Sequence, residues 1–249
     1  MLSCALGFEK YDFIPVAATF SAFLSRTHDQ LRMAQYSNAN VKIVGSHAGV
    51  FIGPDGPSQM GLEDITMMRS LLSSTVLQPS DAVSSFKLTF EMIKQKGICY
   101  LRTMRDPLPV IYDMNEEFPI GGLKILKQSD RDKAIIIASG VTVHEALRAY
   151  ESLKKENMLS TVVDLYSIKP LHEQLLLELS QKKLPMIVVE DHYPYGGIGE
   201  AIKGLLAGVS IQIHHLAVNK IPRSGKPQEL LEYEEIDAKS IVKKIKEII

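Results

Sequence analysis

Short apolar, β-branched runs alternate with amphipathic stretches along nearly the whole chain. The runs at Phe13–Ala18, Val41–Ser46, Thr75–Gln78, Ile98–Leu101, Ala134–Ala138, Thr161–Leu165, Met186–Glu190 and Ile211–His215 are short and mostly apolar. That pattern predicts strands buried on both faces of a parallel sheet. Helical spacing predicts helices over Ser21–Ala34, Asp81–Lys94, Thr142–Glu156, Glu173–Lys182 and Ile198–Ala207. A last one, Asp237–Ile249, carries Ile241, Ile245 and Ile248 on one face, because residues three and four apart share a helix side. Strands alternating with helices predict a doubly wound α/β architecture with mostly parallel sheets.

The pattern breaks at Asp106–Gly122, where three prolines, an acidic cluster and a glycine pair leave no periodicity. That is the composition of an interdomain linker. It places a boundary near Glu117, giving domains 1–117 and 118–249, and a chain of 249 residues has room for two. Lys and Arg number 28 against 29 Asp and Glu, so the net charge of -1 offers no electrostatic footprint for nucleic acid or an anionic membrane. No apolar run reaches the roughly 20 residues a membrane helix needs. The first residues, interrupted by Glu9, Lys10 and Asp12, lack the basic region of a secretory signal. Two cysteines, Cys4 and Cys99, form neither a disulfide framework nor a metal knuckle and fit a reducing, cytoplasmic setting.

Chemistry concentrates in Gly45–Met60, GSHAGVFIGPDGPSQM, whose four glycines and two prolines preclude a regular element. A strand leads into it and Leu62–Ser70 leaves it with helical spacing, which puts the segment at a strand's carboxyl end, where open α/β sheets bind ligands. His47, Asp55, Ser58 and Gln59 supply a titratable ring, a carboxylate and two neutral hydrogen-bonding groups. A structural turn is the plain alternative.

This segment, with ATFSAFLSRTHDQLRMA ahead of it and CYLRTMRDP after it, resembles transketolases, and among them the animal-type branch, which has Gln where other branches carry a second loop histidine. The resemblance continues collinearly through GVTVHEAL, SIKPL, VVEDHYPYGGIGEAI and HLAVNKIPRSGKP. It implies a pyrimidine-binding fold followed by a transketolase C-terminal fold, and transfer of a two-carbon ketol unit between sugar phosphates with thiamine diphosphate. The family's diphosphate-binding domain, which holds Mg2+, has no counterpart in these residues, so no metal ligand is expected in this chain and a diphosphate-binding domain or subunit is expected as partner. The family's sites form between subunits, which implies a homo-oligomer or hetero-oligomer.

The same resemblance assigns roles. Phe20 and Phe23, one helical turn apart, would wall the aminopyrimidine ring of the cofactor; core packing is the alternative. Arg26 lies on the same row, either at the cofactor or in solvent. His47 and Arg105 would meet at the substrate phosphate, where a guanidinium fork and an imidazole suit the anion. Asp55 would accept from a sugar hydroxyl and discriminate epimers, and Gln59 would lie near the reacting carbon, beside the cofactor. No role attaches to Ser58. The Gly197–Ile202 run lacks the third glycine of a dinucleotide loop and implies tight helix packing near a subunit interface. His192, beside Glu190 and Asp191, reads as an interface or structural residue, since neighbours on an extended segment point apart.

Thiamine chemistry also needs a glutamate at the aminopyrimidine. In transketolases it lies in a Glu-Gln-Asn run just ahead of the segment that Met1–Gly7 resembles, and Glu9 does not match it. The chain therefore reads as part of a larger enzyme, inactive alone. The alternatives are a short subunit completed by a partner, a related thiamine enzyme (deoxyxylulose phosphate synthase or a 2-oxoacid dehydrogenase β-subunit), and a non-catalytic regulatory or scaffolding subunit.

Overall fold

The computed structural model describes residues 1–249. Its first half runs α1 (Leu2–Glu9), β1 (Val16–Phe20), a 3-10 helix (Ser21–Thr27), α2 (His28–Tyr36), β2 (Lys42–Ser46), two 3-10 turns (Val50–Asp55 and Pro57–Gln59), α3 (Asp64–Ser70), β3 (Thr75–Leu77), α4 (Ala82–Lys94) and β4 (Cys99–Arg102). The second half runs β5 (Lys124–Lys127), β6 (Asp132–Ala138), α5 (Val141–Lys155), β7 (Leu159–Asp164), β8 (Ser167–Lys169), α6 (Glu173–Gln181), β9 (Met186–Val189), α7 (Ile198–Leu205), β10 (Ile213–Leu216), α8 (Pro227–Tyr233) and α9 (Ala238–Ile248). Two five-stranded sheets result, ordered β1-β2-β4-β3-β8 and β10-β9-β6-β7-β5.

Pairing is parallel throughout except at two edges, β8 on β3 and β5 on β7. Strands β3, β4 and β9 are buried along their whole length, as parallel strands covered on both faces require. Both antiparallel edge strands escape the periodicity reading, because three or four residues carry too little pattern to register.

The chain's first strand corrects the sequence expectation. It is Val16–Phe20, not Phe13–Ala18; Phe13 and Ile14 are exposed and lie outside it. The helix expected over Ser21–Ala34 is a 3-10 segment followed by α2. Phe20 therefore ends a strand instead of opening a helix, and the register pairs it with Ser46 at the end of β2.

The halves are joined by polar anchors at defined backbone groups. Asp81 caps α4, accepting from Ser84 N at 2.7 Å while the Ser84 hydroxyl accepts from Asp81 N. Its other oxygen accepts from Ile111 N and Tyr112 N at 2.9 and 3.1 Å, which pins the expected linker. The Tyr112 hydroxyl then donates to Asp164 at the end of β7, 2.6 Å away. Elsewhere, Thr66 and Arg69 of α3 donate to the carbonyls of Tyr195, Gly196 and Gly197, and Lys169 donates to the carbonyls of Arg69 in α3 and of Leu71 just past its end. The glycine run before α7 thus packs on α3 of the first half.

Candidate functional site

The carboxyl ends of β1, β2 and β4 carry the groups singled out from the sequence. The Phe20 ring stacks on Phe23 with centroids 5.5 Å apart and planes 1° apart. It also stacks on His47, at 3.8 Å and 11°. The three rings form one column, partly open to solvent and not sealed in the core. Arg26 lies over Phe23 at 5.8 Å from the ring centroid and is itself exposed. His47 occupies φ +58°, a left-handed conformation that a residue with a side chain adopts at a cost and that clusters at functional positions. Its Nδ1 lies 2.9 Å from the Ser46 hydroxyl, and its Nε2 makes no hydrogen bond within the chain.

Beyond His47 the chain turns on Gly49, Gly53 and Gly56, all with positive φ. Asp55 ends the 3-10 turn Val50–Asp55, and Gln59 ends the turn Pro57–Gln59 that follows Gly56. Arg105, three residues past β4, reaches this loop: its Nη1 donates to Ile52 O at 3.2 Å and to Asp55 Oδ1 at 3.0 Å. The structure thus joins Arg105 to Asp55 and joins His47 to the phenyl rings; no hydrogen bond links Arg105 to His47. Gln59 is half-buried, with only a 3.5 Å contact to the Ser58 hydroxyl.

Beneath this surface lies a second, fully buried set of polar groups. Arg102, the last residue of β4, donates from Nε to Asp64 at 2.8 Å and from Nη2 to the carbonyls of Gly61 and Asp191, both at 2.9 Å. Tyr100 donates to the same Asp64 oxygen at 2.5 Å. Burial pushes the Asp64 carboxyl up, but the charges of Arg102 and His192 and the hydrogen bonds from Arg102 and Tyr100 outweigh it, and the group ends below its ordinary value. Burial pushes the other way on His192 and holds its ring neutral-leaning, below the usual histidine value, although Glu190 and Asp64 pull upward.

In the Glu190-Asp191-His192 triplet Asp191 parts from its neighbours, while His192 Nδ1 stays 4.0 Å from Glu190 Oε2. Glu190 accepts from Ile198 N and Gly199 N at the start of α7 and contacts His215 Nε2 at 2.6 Å. His192 sits 3.9 Å from Asp64. The Asp191 carboxylate reaches across the chain to Val50 N and Phe51 N, at 2.7 and 3.1 Å. Sequence reading did not single out Asp64, Tyr100 or Arg102. The available signal was a charged residue inside the otherwise buried run CYLR, since a buried Arg requires a partner.

Two mostly parallel α/β sheets, with ring and ionic groups gathered at the strand carboxyl ends, define an α/β protein with a candidate ligand site where open sheets commonly carry one. Comparison with known proteins sharpens that class. The family model described as the transketolase pyrimidine-binding domain matches residues 1–110, and the one described as the transketolase C-terminal domain matches residues 123–241. The chain is 45% identical over 252 residues to human transketolase, covering all of this chain and 40% of that protein. It is 43% identical over 252 residues to transketolase-like protein 1 of Bos taurus, covering 42% of it. Among solved structures, a chain described as a split gene transketolase, inactive beta4 tetramer, superposes with a TM-score of 0.91 at 29% identity, covering 99% of this chain and 80% of that one. Campylobacter jejuni transketolase shares the fold, with a TM-score of 0.84 at 20% identity over 99% of this chain and 38% of that one. The chain belongs to the transketolase family, as a pyrimidine-binding domain followed by a C-terminal domain, and spans about 40% of the length of the curated relatives it matches.

Proposed function

We propose that this chain forms the pyrimidine-binding and C-terminal part of a thiamine-diphosphate-dependent transketolase that moves a two-carbon ketol unit from a ketose phosphate to an aldose phosphate. The observation that carries the reading is the column of Phe23, Phe20 and His47 at the carboxyl ends of β1 and β2, beside the Asp55–Arg105 pair. A partly open aromatic column fits a flat heteroaromatic ring, which stacks on or meets the edge of phenyl groups. Phe20 and Phe23, with Arg26 at the rim, would hold the aminopyrimidine. When bound, thiamine diphosphate supplies the nucleophilic carbon for ketol transfer.

The chain's own residues orient the sugar. Arg105 presents its fork to the phosphate, exchanging its bond to Asp55 for a charge-assisted pair with the anion. Release of Asp55 frees an acceptor for a sugar hydroxyl. His47 presents its unengaged Nε2 at the phosphate end, and Gln59 offers an amide near the reacting carbon, beside the cofactor. In this reading the domains are 1–117 and 118–249, and Mg2+ and the diphosphate belong to a diphosphate-binding domain or subunit. The active assembly is a cytoplasmic dimer or larger oligomer, and the tetrameric form of the split-gene relative is consistent with assembly from several chains.

Reconstitution tests it. The chain, with a Glu-Gln-Asn run placed ahead of Met1, is combined with a diphosphate-binding partner, Mg2+ and thiamine diphosphate. Ketol transfer from xylulose 5-phosphate is expected. No transfer, or use of pyruvate as donor instead, overturns the assignment.

A further inference from the structure

The loop that carries His47, Asp55 and Gln59 is held from the opposite half of the molecule. We infer that Asp191, on the segment after β9, is a positioning residue that fixes the start of this loop by capping it, so that docking of the C-terminal half sets the geometry of the site. The inference deepens the proposed function and rests on it for the loop's role.

Three observations converge. First, the two oxygens of Asp191 divide the work: Oδ1 accepts from Val50 N at 2.7 Å and Oδ2 from Phe51 N at 3.1 Å, the first two amides of the 3-10 turn Val50–Asp55. Those amides have no partner inside the turn, as at any helix start, and no side chain of the loop caps them. Second, the approach is built for close contact. Gly49 has φ +79°, and a Cβ there would collide with the Asp191 carboxylate, so only glycine admits it. Third, the far end of the same loop is tied to the same segment. Gly49 N donates to Gly61 O at 2.9 Å, and Arg102 bridges Gly61 O to Asp191 O. Both ends of the loop therefore close on one residue of the other half, the start on the Asp191 carboxylate and the far end on its carbonyl through Arg102, while the tip bearing Asp55 and Gln59 stays partly exposed.

The ionic surroundings make the cap sensitive to protonation. The charged groups facing Asp191 are Arg102 from β4 and Asp64 from α3; the loop itself presents only backbone N–H groups. Burial pushes the carboxyl up to about 6, with Arg102 and the two N–H donors opposing that rise. A protonated carboxyl loses one of its two acceptor oxygens to the proton, so the cap weakens on the acid side.

Amide hydrogen exchange on the unliganded chain tests the inference. In Asp191→Asn, whose amide nitrogen cannot accept, exchange at Val50 and Phe51 is expected to accelerate by about tenfold or more, while β2 and β9 amides keep their protection. In the parent protein, exchange at the same two amides, corrected for intrinsic rates, is expected to rise between about pH 7.5 and about pH 5, and this step is expected to vanish in Asp191→Asn. A contribution of Asp191 spread through the fold, not exerted at these two amides, would produce no such site-confined pH step. The inference is overturned by unchanged protection at Val50 and Phe51 in the variant, by equal acceleration throughout β2 and β9, or by a flat pH profile in the parent. No substrate or cofactor enters the measurement, so its failure leaves the ketol-transfer test standing, and the converse holds.

Discussion

Two Arg–Asp pairs, formed by arginines three residues apart in sequence, do different jobs. Arg102–Asp64 is fully buried at 2.8 Å, whereas Arg105–Asp55 is about one-third exposed at 3.0 Å. Arg102 lies inside β4 and is surrounded by acceptors that use its fork for the fold: Asp64, Gly61 O and Asp191 O. Arg105 lies past the strand end, and its partners are a loop carbonyl and a carboxylate that water also reaches. The same chemistry is architecture when desolvated and a candidate ligand contact when solvated. Removing one partner from a buried pair strands a charge, while an exposed pair is screened and contributes little.

The largest test of that contrast is Asp64→Ala, which leaves Arg102 and the Tyr100 hydroxyl buried without their carboxylate. It is expected to destabilise the chain by about 3–5 kcal/mol in urea unfolding. A loss below about 1 kcal/mol would place the buried pair in the class of the exposed one.

Next is a buried carboxyl with no cation pair of this kind. Burial pushes Asp164 up to about 7, against the hydrogen bond from Tyr112. Its folded-state value lies above the unfolded one, so the stability it contributes is full below about pH 4 and is lost as pH rises through about 7. Asp164→Asn keeps an acceptor for Tyr112 and removes the ionisation. The variant is expected to be more stable than the parent at about pH 8, on the order of 3 kcal/mol, and similar near about pH 4. Equal stability at both pH values would show that the group ionises normally. Asp64, whose value is lowered, contributes with the opposite sign: its stability is present above the unfolded carboxyl value and is lost on acidification.

A smaller effect belongs to the exposed pair's proposed function. In reconstituted enzyme, Arg105→Lys is expected to raise KM for a sugar phosphate by about tenfold while kcat changes less, because a point charge replaces a two-pronged donor. Thermal stability should hardly move. The smallest effect is on folding itself: Asp55→Ala is expected to cost at most about 1 kcal/mol, and less in high salt. A loss like that of Asp64→Ala would erase the distinction between the two pairs.

Much of the site's chemistry is visible in the sequence, but its partnerships are not. The glycine-proline density after β2 marks the loop, because several positive φ angles require glycine there. Phe20 and Phe23 lie together, yet not through helical spacing: Phe20 ends a strand and the 3-10 segment folds Phe23 back over it. Spacing alone could not tell these cases apart, since three-residue separation suits either geometry. The resemblance pairs Arg105 with His47 at a phosphate; that Arg105 also pairs with Asp55 is visible only in the fold. In the sequence, His192 beside Glu190 and Asp191 reads as an interface or structural residue. Only the fold shows that Asp191 lies 141 residues from the amide it caps.

Local periodicity fixed the alternation of strands and helices and the loop at the carboxyl end of β2, because each depends on backbone preferences within a few residues. Tertiary structure alone decided that β8 of the second half would extend the first sheet, and that Arg102 would be sealed and Arg105 left in solvent. It also brought a distant carboxylate to the loop's first amides. Desolvation and hydrogen-bond partnership depend on what packs against a residue, and distant segments supply that packing here.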